Sequence, residues 1–391
     1  MNIAVIGAGN RARKYLSCLP EGVQVSCLVE PEEIRLRQAA ERFGVPAVSC
    51  FRSAEEFFSA PRHGIDAAIV AAPDRLHVPL ALASVERGWH VLLEKPAAVD
   101  DAGYKCLLDA AQAAGVHVGV CMEMRFHPYF LRIRELAASL GPIFRIDHEE
   151  HIGPDRMAHT FVRGLWSQKA AAGPIFLSKC CHDADFLLWL TGSKAVTGVR
   201  SSGALTLFRS DCAPDGASAR CVDCPLEKEC RYSAVDLYSR RGEWTDGFDI
   251  PEGQTLAGVL ERELHEGRYG RCVYRCSNDV FDAQTVTAVL DGGLQLCIRL
   301  EGTSLKEGRI TRITGRDGVL EADCGHITLR LNGYAEPFRE DYSSLNGAPL
   351  HAGADAALVR DFFSSIALGK EPSASLQSAY PGHLLCFMAE C

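Results

Sequence analysis

Apolar positions in the N-terminal third fall in short runs separated by longer amphipathic stretches. Ile3–Ile6, Val23–Val29, Asp66–Ala71, His90–Leu93 and Val116–Met122 read as strands. Between them, Pro31–Phe43, Leu76–Arg87 and the segment from Asp100 to Gly115 carry helical spacing. Pro31 near the first turn and the acids Glu32 and Glu33 favour a helix start, and Gly44 a stop. Ser53 and Glu56 have the spacing of a capping box. Strands alternating with helices of this length predict parallel βαβ units in a doubly wound α/β sheet.

The pattern changes after Met124. Helical stretches at Leu131–Ser139 and His182–Leu190 flank longer strand-like ones: Ile143–Glu149, Val280–Leu290, Leu294–Leu300, Gly308–Thr314 and His326–Leu331. The turn signals Asp291-Gly292-Gly293, Arg316-Asp317-Gly318 and Asn332-Gly333 point to antiparallel neighbours. The expected organisation is a doubly wound domain over residues 1–123 and an α+β domain over 124–391 with a large open, mainly antiparallel sheet. Residues 210–253, rich in Cys, Pro, Gly and charge, read as an inserted loop. Ala354–Ala367 reads as a last helix that packs back on the first domain.

Composition narrows the class. With 47% apolar and 23% charged residues over 391 positions, the chain is ordinary for a globular protein, not disordered, collagen-like or coiled-coil. It contains no run of about 18 apolar residues, so no membrane span is expected. The net charge of −9 argues against a broad nucleic-acid surface. Met1–Ile6 lacks a basic leader and runs into a glycine turn, so it reads as a strand rather than a signal peptide. A reducing, cytoplasmic setting is the expectation. In that setting the 17 cysteines stand out, because an odd number cannot pair completely.

Gly7-Ala8-Gly9-Asn10-Arg11-Ala12 follows the first strand and opens a helix, fitting G-x-G-x-x-G/A. Gly7 permits the tight turn, Gly9 lets backbone approach a pyrophosphate, and Ala12 lets the helix pack on the strand; free N–H groups at the helix start then face the phosphates. Glu30 closes the second strand where an acid accepts hydrogen bonds from the adenosine ribose, which favours NAD over NADP. Arg11 and Arg35 are the two cations near enough to weaken that preference. Pro73, Asp74 and His77 follow the third apolar strand, and Glu94-Lys95-Pro96 the next; both positions face the ligand crevice of an open sheet.

These motifs, with Met124-Arg125-Phe126-His127-Pro128, resemble the glucose–fructose oxidoreductase/inositol dehydrogenase/rhizopine-catabolism (Gfo/Idh/MocA) family. The resemblance extends along the chain to His351, Asp355 and the final helix. It implies an N-terminal Rossmann domain, a C-terminal open-sheet domain, and NAD(P)-dependent oxidation or reduction of a secondary hydroxyl in a sugar, polyol or derivative. It also implies a homodimer or homotetramer. It carries a catalytic lysine onto Lys95, a cleft histidine onto His182 and a following acid onto Asp185. The family aspartate four residues before the histidine is Ser178 here. Lys179 beside it adds positive charge that lowers the His182 pKa, so Lys179 joins the candidate catalytic set. Arg125, His159, Arg163 and Trp166 are the substrate-side candidates.

A histidine titrates in the range to take a hydroxyl proton, and a lysine ammonium stabilises a developing alkoxide. Cys221, Cys224 and Cys230 have the spacing of a metal loop. A fourth thiolate from Cys212, Cys272 or Cys276, with Cys272 preferred, would complete a structural zinc site, with an iron–sulfur cluster as the alternative. The insertion resembles one seen in a cysteine-rich subgroup of the family. Three functions compete: an NAD-dependent sugar or polyol dehydrogenase, a glycoside-cleaving enzyme using tightly held NAD in an oxidation, elimination and reduction cycle, and a non-catalytic NAD-binding sensor.

Overall fold

The computed structural model describes residues 1–61, 64–192 and 195–390. Six strands, β1 (Asn2–Ile6), β2 (Gln24–Val29), β3 (Cys50–Phe51), β4 (Ala67–Val70), β5 (His90–Leu93) and β6 (Val118–Val120), form one parallel sheet in the order β3-β2-β1-β4-β5-β6. Helices α1 (Asn10–Leu16), α2 (Glu33–Phe43), α3 (Ala54–Ser59), α4 (His77–Val85) and α5 (Asp101–Ala114) supply the crossovers. β1 pairs with β2 on one side and β4 on the other, so the strand order reverses there and opens a crevice at their C-terminal ends. Local chemistry sets the boundaries. Ser53 and Asp100 cap α3 and α5 by accepting the N–H of Glu56 and Gly103, and Gly44 and Gly115 end α2 and α5 in the left-handed conformation.

The second sheet has eight strands: β7 (Ile143–His151), β8 (Val196–Ala204), β9 (Ala283–Leu290), β10 (Gln295–Glu301), β11 (Gly308–Gly315), β12 (Gly318–Asp323), β13 (His326–Leu331) and β14 (Phe338–Asp341). Their order is β14-β13-β12-β11-β7-β10-β9-β8, and all pairs are antiparallel except β7 with β10. Val286, Ala288 and Leu290 of β9 and Leu296, Ile298 and Leu300 of β10 alternate onto a buried face. They pack there with α6 (Pro128–Ala137) and the almost wholly buried α7 (Ile175–Leu190).

The helices differ from the sequence expectation in two places. α7 starts at Ile175, seven residues before the expected start at His182, so Ser178 and Lys179 lie inside the helix. Ala354–Ala367 (α9) is not the last helix, because α10 (Leu376–Met388) follows it. Between β8 and β9 the chain is mostly short turns, with one regular helix, α8 (Leu256–His265), under a small cluster of Leu237, Tyr238, Leu260 and Leu264.

Both late helices reach the first sheet. Leu358, Val359, Phe362 and Phe363 of α9 pack with Ile3, Val5 and Tyr15. The chain entering α10 lies along β6, where Val120 N–H donates to Ala374 O at 2.7 Å and Gly119 bridges Ser375. No helix among the described residues is long and apolar enough to cross a membrane.

Candidate active site

The turn after β1 is shaped by close approach. Gly7 has φ +92°, and a Cβ there would stand 2.4 Å from the Ala71 carbonyl oxygen, so glycine is required. A Cβ on Gly9 would meet nothing within 4 Å, so space lies open above the turn, and no side chain caps the N–H groups of α1. Ala12 is fully buried against the sheet. Glu30 is buried and accepts the Ala8 N–H at 2.7 Å and the Glu32 N–H at 3.1 Å. Backbone donors, open space and an acid at the tip of β2 fit a dinucleotide.

Arg11 is committed elsewhere. Its guanidinium donates to Glu94 Oε1 at 2.7 Å, Asp355 Oδ1 at 2.9 Å and Tyr15 OH at 2.6 Å. Glu94 also accepts the Tyr15 hydroxyl and the Lys95 N–H. Burial works against the Glu94 carboxylate, but Arg11 and Lys95 outweigh it and hold its pKa below the ordinary value. Arg11 thus fixes the strand end that carries Lys95. His77 bridges the carbonyls of Pro96 and Ala72 at 2.7 and 2.8 Å, tying the β4 and β5 ends together behind Pro73.

Three strand ends and one helix then converge. Lys95 Nζ, after β5, donates to the Ser178 carbonyl at 2.8 Å. Burial opposes the ammonium, but Cys181, Glu94, Asp74 and Glu123 around it raise its pKa. Asp74, after β4, accepts from Trp166 Nε1 at 3.1 Å and Ser178 Oγ at 3.4 Å. Glu123, after β6, places Oε1 3.2 Å from His182 Nε2. Burial first, then the charges of Lys95 and Arg309, hold the imidazole pKa well below its ordinary value, so His182 is neutral. Its Nδ1 has no hydrogen-bond partner. Ser178, Cys181, His182 and Asp185 share one face of α7 by their i, i+3, i+4, i+7 spacing.

Other candidates lie apart from this group. Lys179 projects from a neighbouring face of α7 and pairs with Glu150 of β7 at 2.6 Å. It belongs to a buried network in which Arg309 contacts Asp183 and Glu150, and Asp183 meets His148 Nε2 at 3.0 Å. Arg125 and Asp185 form a buried two-point pair with each other. His159 contacts the Tyr238 hydroxyl and stacks on Tyr269. Arg163 donates to the carbonyls of Arg271 and Tyr232. Both serve the segment between β8 and β9.

The zinc expectation is corrected. Among the described residues no group of three or more His, Cys, Asp or Glu side chains is placed to hold a metal ion. Cys221, Cys224, Cys230 and Cys272 are free thiols. The Cys221 sulfur instead accepts from Ala234 N–H at 3.4 Å and Arg163 Nη2 at 3.6 Å. Burial raises the pKa of Cys230 and Cys272. Of the other fourth-ligand candidates, Cys212 bonds to the Thr206 carbonyl and Cys276 to the Cys272 carbonyl. The iron–sulfur alternative falls by the same geometry.

Glu123 escaped the sequence reading, although it ends a strand as Asp74 and Lys95 do. His351 also did so as a site residue. It bonds Asp355 at 3.0 Å and stands 4.0 Å from Glu123. Leu350, His351 and Ala352 all have left-handed φ, an arrangement sequence pattern does not signal.

Residues 1–122 match the family described as "Oxidoreductase family, NAD-binding Rossmann fold", the Gfo/Idh/MocA group. This stretch of the chain is similar to that family. Among curated relatives, this chain is 24% identical over 203 residues to an inositol 2-dehydrogenase of Corynebacterium glutamicum (strain R), covering 50% of this chain and 56% of that one. It is 30% identical over 213 residues to myo-inositol dehydrogenase Hyg17 of Streptomyces leeuwenhoekii, covering 53% and 60%. The chain thus spans a little over half the length of these relatives. An oxidoreductase from Agrobacterium radiobacter, solved with NAD+, L-tartaric acid and magnesium, superposes with a TM-score of 0.70 at 13% identity, covering 98% of this chain and 94% of that one. That likeness shows the shared fold.

Proposed function

We propose that the protein is an NAD-dependent oxidoreductase acting on a secondary hydroxyl of a sugar, polyol or sugar derivative. The observation that carries this reading is the convergence of Lys95, Glu123 and His182 beside the Gly7–Gly9 turn. The inositol dehydrogenases among its relatives support the substrate class.

Gly7, Gly9, Asn10 and Ala12 form the pyrophosphate turn, Glu30 faces the adenosine ribose, and Pro73, Asp74, His77, Glu94 and Pro96 shape the nicotinamide side. When bound, the nicotinamide ring accepts or returns the hydride. Neutral His182 takes the hydroxyl proton, and Glu123 Oε1, 3.2 Å from its Nε2, orients the ring. The Lys95 ammonium donates to the oxygen as it gains negative charge. Trp166, held by Asp74, borders the substrate. Glu123 supplies a carboxylate that Ser178 cannot, which favours an enzyme over a non-catalytic sensor. The cysteine-rich segment is in keeping with a subgroup of such enzymes, and a homodimer or homotetramer is the expected assembly.

Lys95→Met is the test. Nucleotide released on denaturation should match wild type, while turnover on a sugar and polyol panel falls by about 100-fold or more. Unchanged turnover overturns the assignment. Aryl-glycoside cleavage without net reduced nucleotide would select the oxidation–elimination–reduction cycle instead.

A further inference from the structure

Three side chains around the dinucleotide turn pair with one short stretch of the segment between β8 and β9. Asn10 Nδ2 donates to Asp246 Oδ2 at 2.9 Å. Arg35 makes a two-point contact with Asp249, Nε to Oδ1 at 2.9 Å and Nη2 to Oδ2 at 2.8 Å. Arg37 Nη1 reaches Glu252 at 3.1 Å. The acceptors recur every third residue. The Arg37–Glu252 pair is exposed and carries little energy, whereas Arg35 and Asp249 are only 30% and 25% exposed.

The position of Arg35 gives this contact its meaning. Arg35 lies in the first turns of α2, just past Glu30, and the Glu30 charge acts on it. In dinucleotide folds the adenosine ribose lies at this strand tip, and a nearby arginine accommodates a 2′-phosphate. Arg52, a further cation near the β2 tip, bonds to Glu33 and the Pro31 carbonyl. A carboxylate and a phosphate use the same two-point face of a guanidinium, so one excludes the other.

We propose that Asp249 is a cofactor-specificity residue: by occupying the Arg35 guanidinium it withdraws the cation a 2′-phosphate would need and restricts the site to the unphosphorylated dinucleotide. This rests on the nucleotide-binding reading above. Glu30 repels a 2′-phosphate from within the first domain, and Asp249 disarms the arginine from the second. Asp246, on the pyrophosphate turn through Asn10, holds the same stretch in place.

The test is titration of the full chain, stripped of nucleotide, with NAD and with NADP. Wild type is expected to favour NAD. Asp249→Asn should shift the affinity ratio toward NADP by about tenfold or more, and Arg35→Ala in the Asp249→Asn background should return it to wild type. A ratio unchanged in Asp249→Asn overturns the proposal, as does a wild type that binds both nucleotides equally. If Asp249→Asn does not fold, Arg35→Ala alone decides. An occupied arginine leaves NADP affinity unaltered, whereas about a tenfold loss means Arg35 already holds the phosphate and refutes the role of Asp249. A wild type that binds neither nucleotide brings down the nucleotide reading itself.

Discussion

Replacing Arg125 with methionine isolates a carboxyl group in the protein interior. The Arg125 and Asp185 side chains are 3% and 1% exposed, and their two contacts measure 2.6 and 2.7 Å. The remaining N–H groups of the guanidinium go to the Ser373 and Ser378 carbonyls and the Ser378 hydroxyl. One side chain therefore ties the turn after β6 to α7 and to the start of α10. Removing one partner of a buried pair costs about 3–5 kcal/mol. Burial already pushes the Asp185 carboxyl above its ordinary range, so the orphaned group takes up a proton, and the cost falls toward about 3 kcal/mol. Thermal unfolding followed by circular dichroism should show a midpoint lowered by roughly 4 °C. Arg125→Met/Asp185→Leu should regain at least about half of the loss, because apolar groups of similar volume replace a buried pair at little cost. Near-wild-type stability of Arg125→Met with collapsed turnover would refute the reasoning and return both residues to substrate binding.

Gly7→Ala should abolish nucleotide retention, because the new Cβ would stand 2.4 Å from the Ala71 carbonyl oxygen at φ +92°; retained nucleotide after purification would contradict this. Gly382→Ala should cost about 1–3 kcal/mol in urea unfolding, because its Cβ would stand 2.6 Å from Asp185 Cα where α10 crosses α7. His383, fully buried, has its pKa lowered to about 4 by burial. It is neutral when folded and takes up a proton when unfolded below pH about 6.5, so its contribution, present above that pH, is lost as pH falls toward 4, by roughly 3 kcal/mol. A stability curve flat over that window for wild type relative to His383→Gln would count against it. Glu123→Gln should fold normally and lose about tenfold or more in turnover, with unchanged turnover placing His182 outside its control.

The first sheet was legible because each device acts locally. Gly7, Ser53, Asp100 and Gly115 do their work within a few residues, and β5 needs only its own apolar run. The two-residue β3 carries no periodicity and was invisible. β8 and β14 also escaped, since both are mostly exposed edge strands without clean alternation. The start of α7 was missed because Ile175–Leu177 is apolar on every side, as a helix buried all round must be. The site divides the same way. Lys95 and His182 sit in recognisable local motifs, whereas Glu123 gains its significance from a residue on another element. Arg125, Asp185 and Lys179 show the converse. Their charge suggested chemistry, but their partners lie far along the chain. The cysteine spacing misled because it sets which thiols are near in sequence, not where their sulfurs point.

The lodging of α9 and the α10 leader against the first sheet bears on synthesis. The edge of β6 stays open, and the surface around Ile3, Val5 and Tyr15 stays uncovered, until residues beyond 354 have left the ribosome. The first sheet is therefore the first part to be made and among the last to be finished. Its contacts are distant in sequence, which slows folding and leaves an unpaired strand edge exposed meanwhile. Residues 1–122 made as a free fragment should aggregate, and co-expression of a segment carrying α9 and α10 should rescue them.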